Sequence, residues 1–183
     1  MAIALLLTAT ASELGADKLS NFLLTTMNRM TSSEEFLAAA AQLSGLELLR
    51  LAQTIPAEQR HPVIGDLFKF SMDRIDEGEV EFSMPSDPAF ANPLGSLHGG
   101  ACATLLDSVV GCAIHTMLPA GVGYGTLELK VNYIRTVPVD GRKLTGVGTV
   151  IHCGRQTATA EGRVRDENGK LVAHATTTCL IYR

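Results

Sequence analysis

The sequence predicts an α+β domain in which a mostly antiparallel sheet wraps around one long helix, with a helical extension ahead of it. Three features lead there. Apolar residues recur at helical spacing up to about residue 58, and with a period of two from residue 66 onward. One Pro-free stretch of helical length, residues 98–117, interrupts the period-two pattern. That stretch is apolar around more than half its circumference, which marks a buried helix.

In the extension, residues 1–58, Leu23, Leu24, Met27 and Met30 fall at helical spacing. Ser33-Glu34-Glu35 resembles a helix start, with carboxylates at the positive end of the dipole. Phe36, Leu37, Ala40, Leu43 and Leu46 continue an apolar stripe up to Pro56. No chemistry is evident in it, and packing on the domain or on a partner subunit is expected. Residues 2–7 are apolar and Ala9-Thr10-Ala11 loosely resembles a cleavage site, but no basic residue precedes Lys18. The run is far too short to span a bilayer, so a cytoplasmic protein is expected.

The second domain, residues 59–183, begins with Phe68, Phe70 and Met72 alternating with polar residues. A turn at Asp76-Glu77-Gly78 leads to Val80, Phe82 and Met84, which makes a hairpin with one buried face. A loop rich in Pro, Asn, Ser and Gly follows over residues 86–97. Pro119 and Gly121 end the helix. Leu127, Leu129, Val131 and Tyr133 alternate as a strand, and three more strands are expected at about 142–153, 156–166 and 170–181. Asp166-Glu167-Asn168-Gly169 joins the last two as a hairpin.

Wound at about 100° per residue, the helix collects Cys102, Leu105, Leu106, Val109, Val110 and Ala113 on one broad face. The remaining arc holds Gly100, Thr104, Asp107, Ser108, Gly111 and His115, all small or polar. This strip is free to face a partner or a ligand, and a buried Asp107 on such a helix is costly unless something pairs with it or uses it.

Composition narrows the function classes. The chain has 183 residues, 46% hydrophobic and 19% charged, enough apolar material for a packed core. A net charge of −4 disfavours nucleic acid as a partner, and no charge run points to a membrane surface. Cys102, Cys112, Cys153 and Cys179 form no C-x-x-C pair, which suits a reduced intracellular protein. The histidines show no H-E-x-x-H pattern, so no metal site is expected. Gly121-Val122-Gly123-Tyr124-Gly125 lacks phosphate-loop and dinucleotide spacings, and no G-x-S-x-G elbow is present.

The stretch Asn92-Pro93-Leu94-Gly95-Ser96-Leu97-His98-Gly99-Gly100, with Asp107 nine residues after the His, resembles the signature of hotdog-fold acyl-CoA thioesterases. The branch it is most similar to is the phenylacetic-acid-degradation (PaaI-like) group. The resemblance runs from about residue 60 to the end, through Thr126-Leu127-Glu128-Leu129-Lys130-Val131-Asn132-Tyr133 and residues 162–173. It implies a hotdog fold and hydrolysis of an acyl- or aryl-CoA thioester, with coenzyme A as part of the substrate and no separate cofactor.

The resemblance also implies roles. The Gly99 amide donates to the thioester oxygen, and Asp107 serves as nucleophile or as general base for water. Asn92 helps to place the thioester or the water, and Thr126 matches a residue that holds water beside the carboxylate. His98 orients the loop or donates near the carbonyl, unless it is a structural residue at the helix start. Gly100 is carried over as a substrate-binding residue. Arg135 and Arg155, at strand ends, are candidates for coenzyme A phosphates, although solvated arginines are the commoner outcome.

Asp107 lies eight residues past Gly99, which is about 12 Å along a helix axis. Reacting atoms must approach to about 3–3.5 Å, so one subunit cannot assemble this site. A homodimer with antiparallel helices is therefore expected, and the resemblance implies that such dimers often pair into tetramers. Two other functions fit the same fold: an acyl-CoA binding module without catalysis, and a hotdog dehydratase or hydratase.

Overall fold

A computed structural model describes residues 41–56 and 62–183. The sequence readings on Leu23 to Met30, on Ser33 to Glu35 and on Phe36, Leu37 and Ala40 lie outside the described residues. The described chain contains α1 (Gly45–Thr54), α2 (Ile64–Leu67), β1 (Ser71–Asp76), β2 (Glu79–Pro85), a 3-10 turn (Pro88–Phe90), α3 (Gly99–Thr116), β3 (Gly123–Tyr133), β4 (Lys143–Cys153), β5 (Thr157–Asp166) and β6 (Leu171–Tyr182). The six strands form one antiparallel sheet in the order β1-β2-β4-β5-β6-β3. Among the described residues no helix is long and apolar enough to cross a membrane.

The sheet curls around α3 as the sequence predicts. Leu105, Leu106, Val109, Val110, Ala113 and Ile114 of α3 are wholly buried. They face Val80, Leu144, Ala160, Val164 and Ala173 on the inner side of the strands. Two glycines decide how close the helix comes. Gly148 and Gly162 are cross-strand partners in β4 and β5. A Cβ at Gly148 would lie 2.3 Å from the carbonyl oxygen of Val109, and one at Gly162 would lie 2.8 Å from Val110 Cγ1. At Gly148 the helix backbone thus rests almost directly on the sheet backbone, and at Gly162 the Val110 side chain does so, contacts only hydrogen atoms on these α-carbons permit.

Two local expectations are corrected. Phe68 and Phe70 do not belong to the first strand, because the chain turns back on itself there. The amide of Phe70 donates to the Gly65 carbonyl at 2.7 Å, Lys69 takes a φ of 56°, and β1 starts only at Ser71. The Phe68 ring packs against Phe90 instead, 4.7 Å between centroids. The period-two spacing therefore reflects aromatics fastening a loop, which periodicity alone cannot separate from a strand. The apolar stripe through Leu43 and Leu46 is likewise not one continuous helix. Ser44 caps α1, with Glu47 reaching back at 2.8 Å to the Ser44 amide in a capping box. α1 then docks on the far end of α3, where the Gly45 amide donates to the Leu118 carbonyl at 3.0 Å.

Gly148→Ala is expected to lower unfolding stability by about 3 kcal/mol, since the clash is with backbone that cannot swing aside. Urea denaturation monitored by circular dichroism measures this.

Candidate active site

The loop into α3 is tied by Asn92. Its Oδ1 accepts from the amides of Leu94 (2.9 Å) and Ser96 (3.2 Å), and its Nδ2 donates to Ser96 Oγ at 2.9 Å. One Nδ2 hydrogen is left without an acceptor among the described residues. The loop is anchored at both ends. The Leu97 amide donates to the Val137 carbonyl at 2.9 Å, and the His98 amide donates to the Phe90 carbonyl at 2.8 Å.

His98 is the N-cap of α3. Its Nδ1 accepts from the Gly100 amide at 2.9 Å, and its carbonyl accepts from the Ala101 amide at 2.9 Å. The acceptor at Nδ1 assigns the neutral-ring proton to Nε2. Two of the first three amides of the helix are thereby engaged. The Gly99 amide has no acceptor among the described residues. It stands at the positive end of the α3 dipole, where an incoming oxygen with partial negative charge is favoured.

This amide opens into a cleft of about 300 Å³, lined among others by Asn92, Ser96, Gly99, Cys102, Tyr133 and Arg135. The Tyr133 ring covers Gly99 so closely that a Cβ there would meet Tyr133 Cζ at 3.1 Å. Tyr133 was not singled out by sequence reasoning beyond its place in a strand. The signal available was an amphipathic aromatic at the strand end beside Arg135. Gly100 is exposed, and its amide is turned to His98 rather than to the cleft. Arg155 sits exposed at the β4–β5 hairpin, away from the cleft lining, where its carbonyl accepts from Arg183 Nε at 3.0 Å.

Asp107 lies two turns further along α3, on the strip with Thr104 and Ser108. It is exposed in the single chain. On this side of the helix the edge strand β3 contributes Tyr124 and Thr126. Thr126 Oγ1 donates to Asp107 Oδ1 at 3.2 Å, and the second carboxylate oxygen has no partner among the described residues. Tyr124 lies across Gly111 and meets His115 at a tilt of 50°, with 5.5 Å between ring centroids. Burial pulls the His115 imidazole below its usual range, so the ring is neutral at pH 7.

The thiols near these groups are poor nucleophiles. Burial pushes Cys102 up to about 11. Burial, with a further push from the Asp107 charge, takes Cys112 to about 12. Thiolate is the reactive form, so neither is populated in it at neutral pH. In the native protein at pH 8, Cys102 and Cys112 are expected to resist iodoacetamide and to label once the chain is unfolded in urea. Peptide mass spectrometry of the two samples reads the difference.

Comparison with known proteins gives the following. The profile of the thioesterase superfamily matches residues 94–173. A putative esterase of Pseudomonas aeruginosa is 33% identical over 108 residues, covering 58% of this chain and 73% of that one. The proofreading thioesterase EntH of Klebsiella pneumoniae is 35% identical over 97 residues, covering 53% of this chain and 69% of its own. Among solved structures, a putative thioesterase from Ralstonia eutropha, a phenylacetic acid degradation-related protein, superposes with a TM-score of 0.63 at 27% identity, covering 75% of this chain and 98% of that one.

Proposed function

Because this chain belongs to the thioesterase superfamily, as a hotdog-fold thioester hydrolase of the PaaI-like kind, we propose that its substrates are acyl- or aryl-coenzyme A thioesters and that two subunits share each active site. The observation that carries this reading is the free amide of Gly99 at the head of α3, with the carboxylate of Asp107 on the same helix but about 12 Å along it. The thioester carbonyl rests on the Gly99 amide of one subunit and the carboxylate comes from the other.

As a general base, Asp107 removes a proton from water while the water oxygen bonds to the thioester carbon. The carbonyl electrons move to oxygen, and Gly99 stabilises that charge, an interaction worth roughly 3–4 kcal/mol of barrier. When the oxyanion collapses the C–S bond breaks, and the thiolate of coenzyme A takes up the proton. As a nucleophile, Asp107 would instead form a mixed anhydride at the same carbon, expelling the thiolate, and water would then hydrolyse it. Thr126 holds the carboxylate in either route. Asn92 retains one N–H for the thioester or the water. His98 sets the direction of the helix start. Arg135, at the cleft, is better placed than Arg155 for coenzyme A phosphates.

The edge of the sheet supports the shared site. β3 is an 11-residue edge strand with no partner on its outer side among the described residues, and Leu127 is 60% and Tyr133 55% exposed. Long apolar edges of this sort invite a further strand. Antiparallel pairing of two β3 edges near their middles sets the Tyr133 end of one chain beside the Thr126 end of the other, which brings Gly99 of one toward Asp107 of its partner. We propose the homodimer as the functional unit, with pairing of dimers into tetramers. The four cysteines are free, which suits a cytoplasmic enzyme.

Asp107→Asn is expected to lower kcat by about 10²–10⁴-fold on a substrate that the wild type turns over, measured by thiol release. Mixing Asp107→Asn with Gly99→Val subunits after partial unfolding and refolding is expected to restore roughly a quarter of wild-type activity, because each mixed dimer regains one intact site. No recovery from mixed dimers shown to form by native mass spectrometry contradicts a shared site.

A further inference from the structure

An oxyanion is best stabilised by more than one aimed donor, and the head of α3 offers a single free amide. The Gly100 amide is engaged by His98 Nδ1 and the Ala101 amide by the His98 carbonyl. The nearest uncommitted polar group beside Gly99 is the phenol of Tyr133. Its Oη lies 3.4 Å from the point where a Gly99 Cβ would be, and it has no hydrogen-bond partner among the described residues. Tyr133 is held in place by its strand. It ends β3, pairs with the fully buried Ala173 of β6, and lines the same cleft as Gly99. The ring and the glycine fit one another: the phenol occupies the volume a side chain at 99 would take.

We propose that the hydroxyl of Tyr133 is a second hydrogen-bond donor to the thioester oxygen, acting with the Gly99 amide of its own subunit as the charge develops. The inference rests on the reading of this site as a thioester hydrolase site. Donation requires a protonated phenol. Partial burial raises Tyr133 above its ordinary range, so the proton is retained throughout the neutral region. Both donors belong to one chain and the base to the other.

Tyr133→Phe keeps the ring over Gly99 and removes only the donor. With benzoyl-CoA and hexanoyl-CoA as probes and thiol release as readout, kcat is expected to fall by about 10²-fold while KM changes little, because the bond strengthens only as negative charge grows. A residue that served packing alone would not separate the two constants this way. The unfolding midpoint in urea is measured alongside and is expected to stay at the wild-type value. Undiminished kcat in a folded Tyr133→Phe enzyme overturns the proposal, as does a loss confined to KM. A wild type that hydrolyses neither probe nor any longer acyl-CoA overturns the site reading itself, and this inference with it.

Discussion

The backbone of α3 lies against the floor of the sheet at Gly148, with Val110 and Leu106 seated on Gly162 beside it, and the rest of the site follows from that contact. A helix seated at side-chain distance would have its N-terminus free to shift. Seated on bare backbone, with six of its apolar side chains wholly buried, it is fixed in height and direction. Close-packed interiors transmit such constraints without slack. Its first amide therefore points at one place, the cleft that Asn92, Tyr133 and Arg135 line. The remaining helix-start amides are satisfied locally by His98, so the unsatisfied donor is confined to a single position.

The same helix carries a problem that one chain by itself does not solve. Its sheet-facing side is saturated with contacts, while the strip holding Thr104, Asp107 and Ser108 is left largely uncovered. A carboxylate there stays hydrated in the single chain and lies too far from Gly99 to share a carbonyl with it. In the proposed dimer a second copy would resolve both conditions together. It would bring the missing carboxylate to each amide, and it would remove water from around two charges whose interaction with substrate strengthens as the local dielectric falls.

Strand positions were readable from residues because hydrophobic alternation is local: the limits of β4, β5 and β6 fall within a residue or so of those expected, and the α3 boundaries within one. The failures have the same root. Phe68 and Phe70 alternate as strand residues do, yet they sit in a folded-back loop where Phe68 packs on Phe90, a partner far away in sequence that no window of neighbours contains. Whether Asp107 is buried could not be read from its apolar helix, because burial depends on what covers that face in the fold. The pairing of Thr126 with Asp107 combined a motif resemblance with a contact that only the fold places at hydrogen-bond distance.

What the sequence by itself determined is the inventory and its spacing: a helix with a glycine-rich head, a carboxylate eight residues on, and strands enough to enclose it. These are properties of the chain's own periodicity, and a helix has one rise per residue wherever it is placed. Only the tertiary structure decided which head amide stays free, that the phenol of Tyr133 closes over Gly99, and that the Asp107 face of α3 is bare in one chain. Each of those is an encounter between residues distant in sequence, set by how the sheet bends around the helix and by where its edge strand stops.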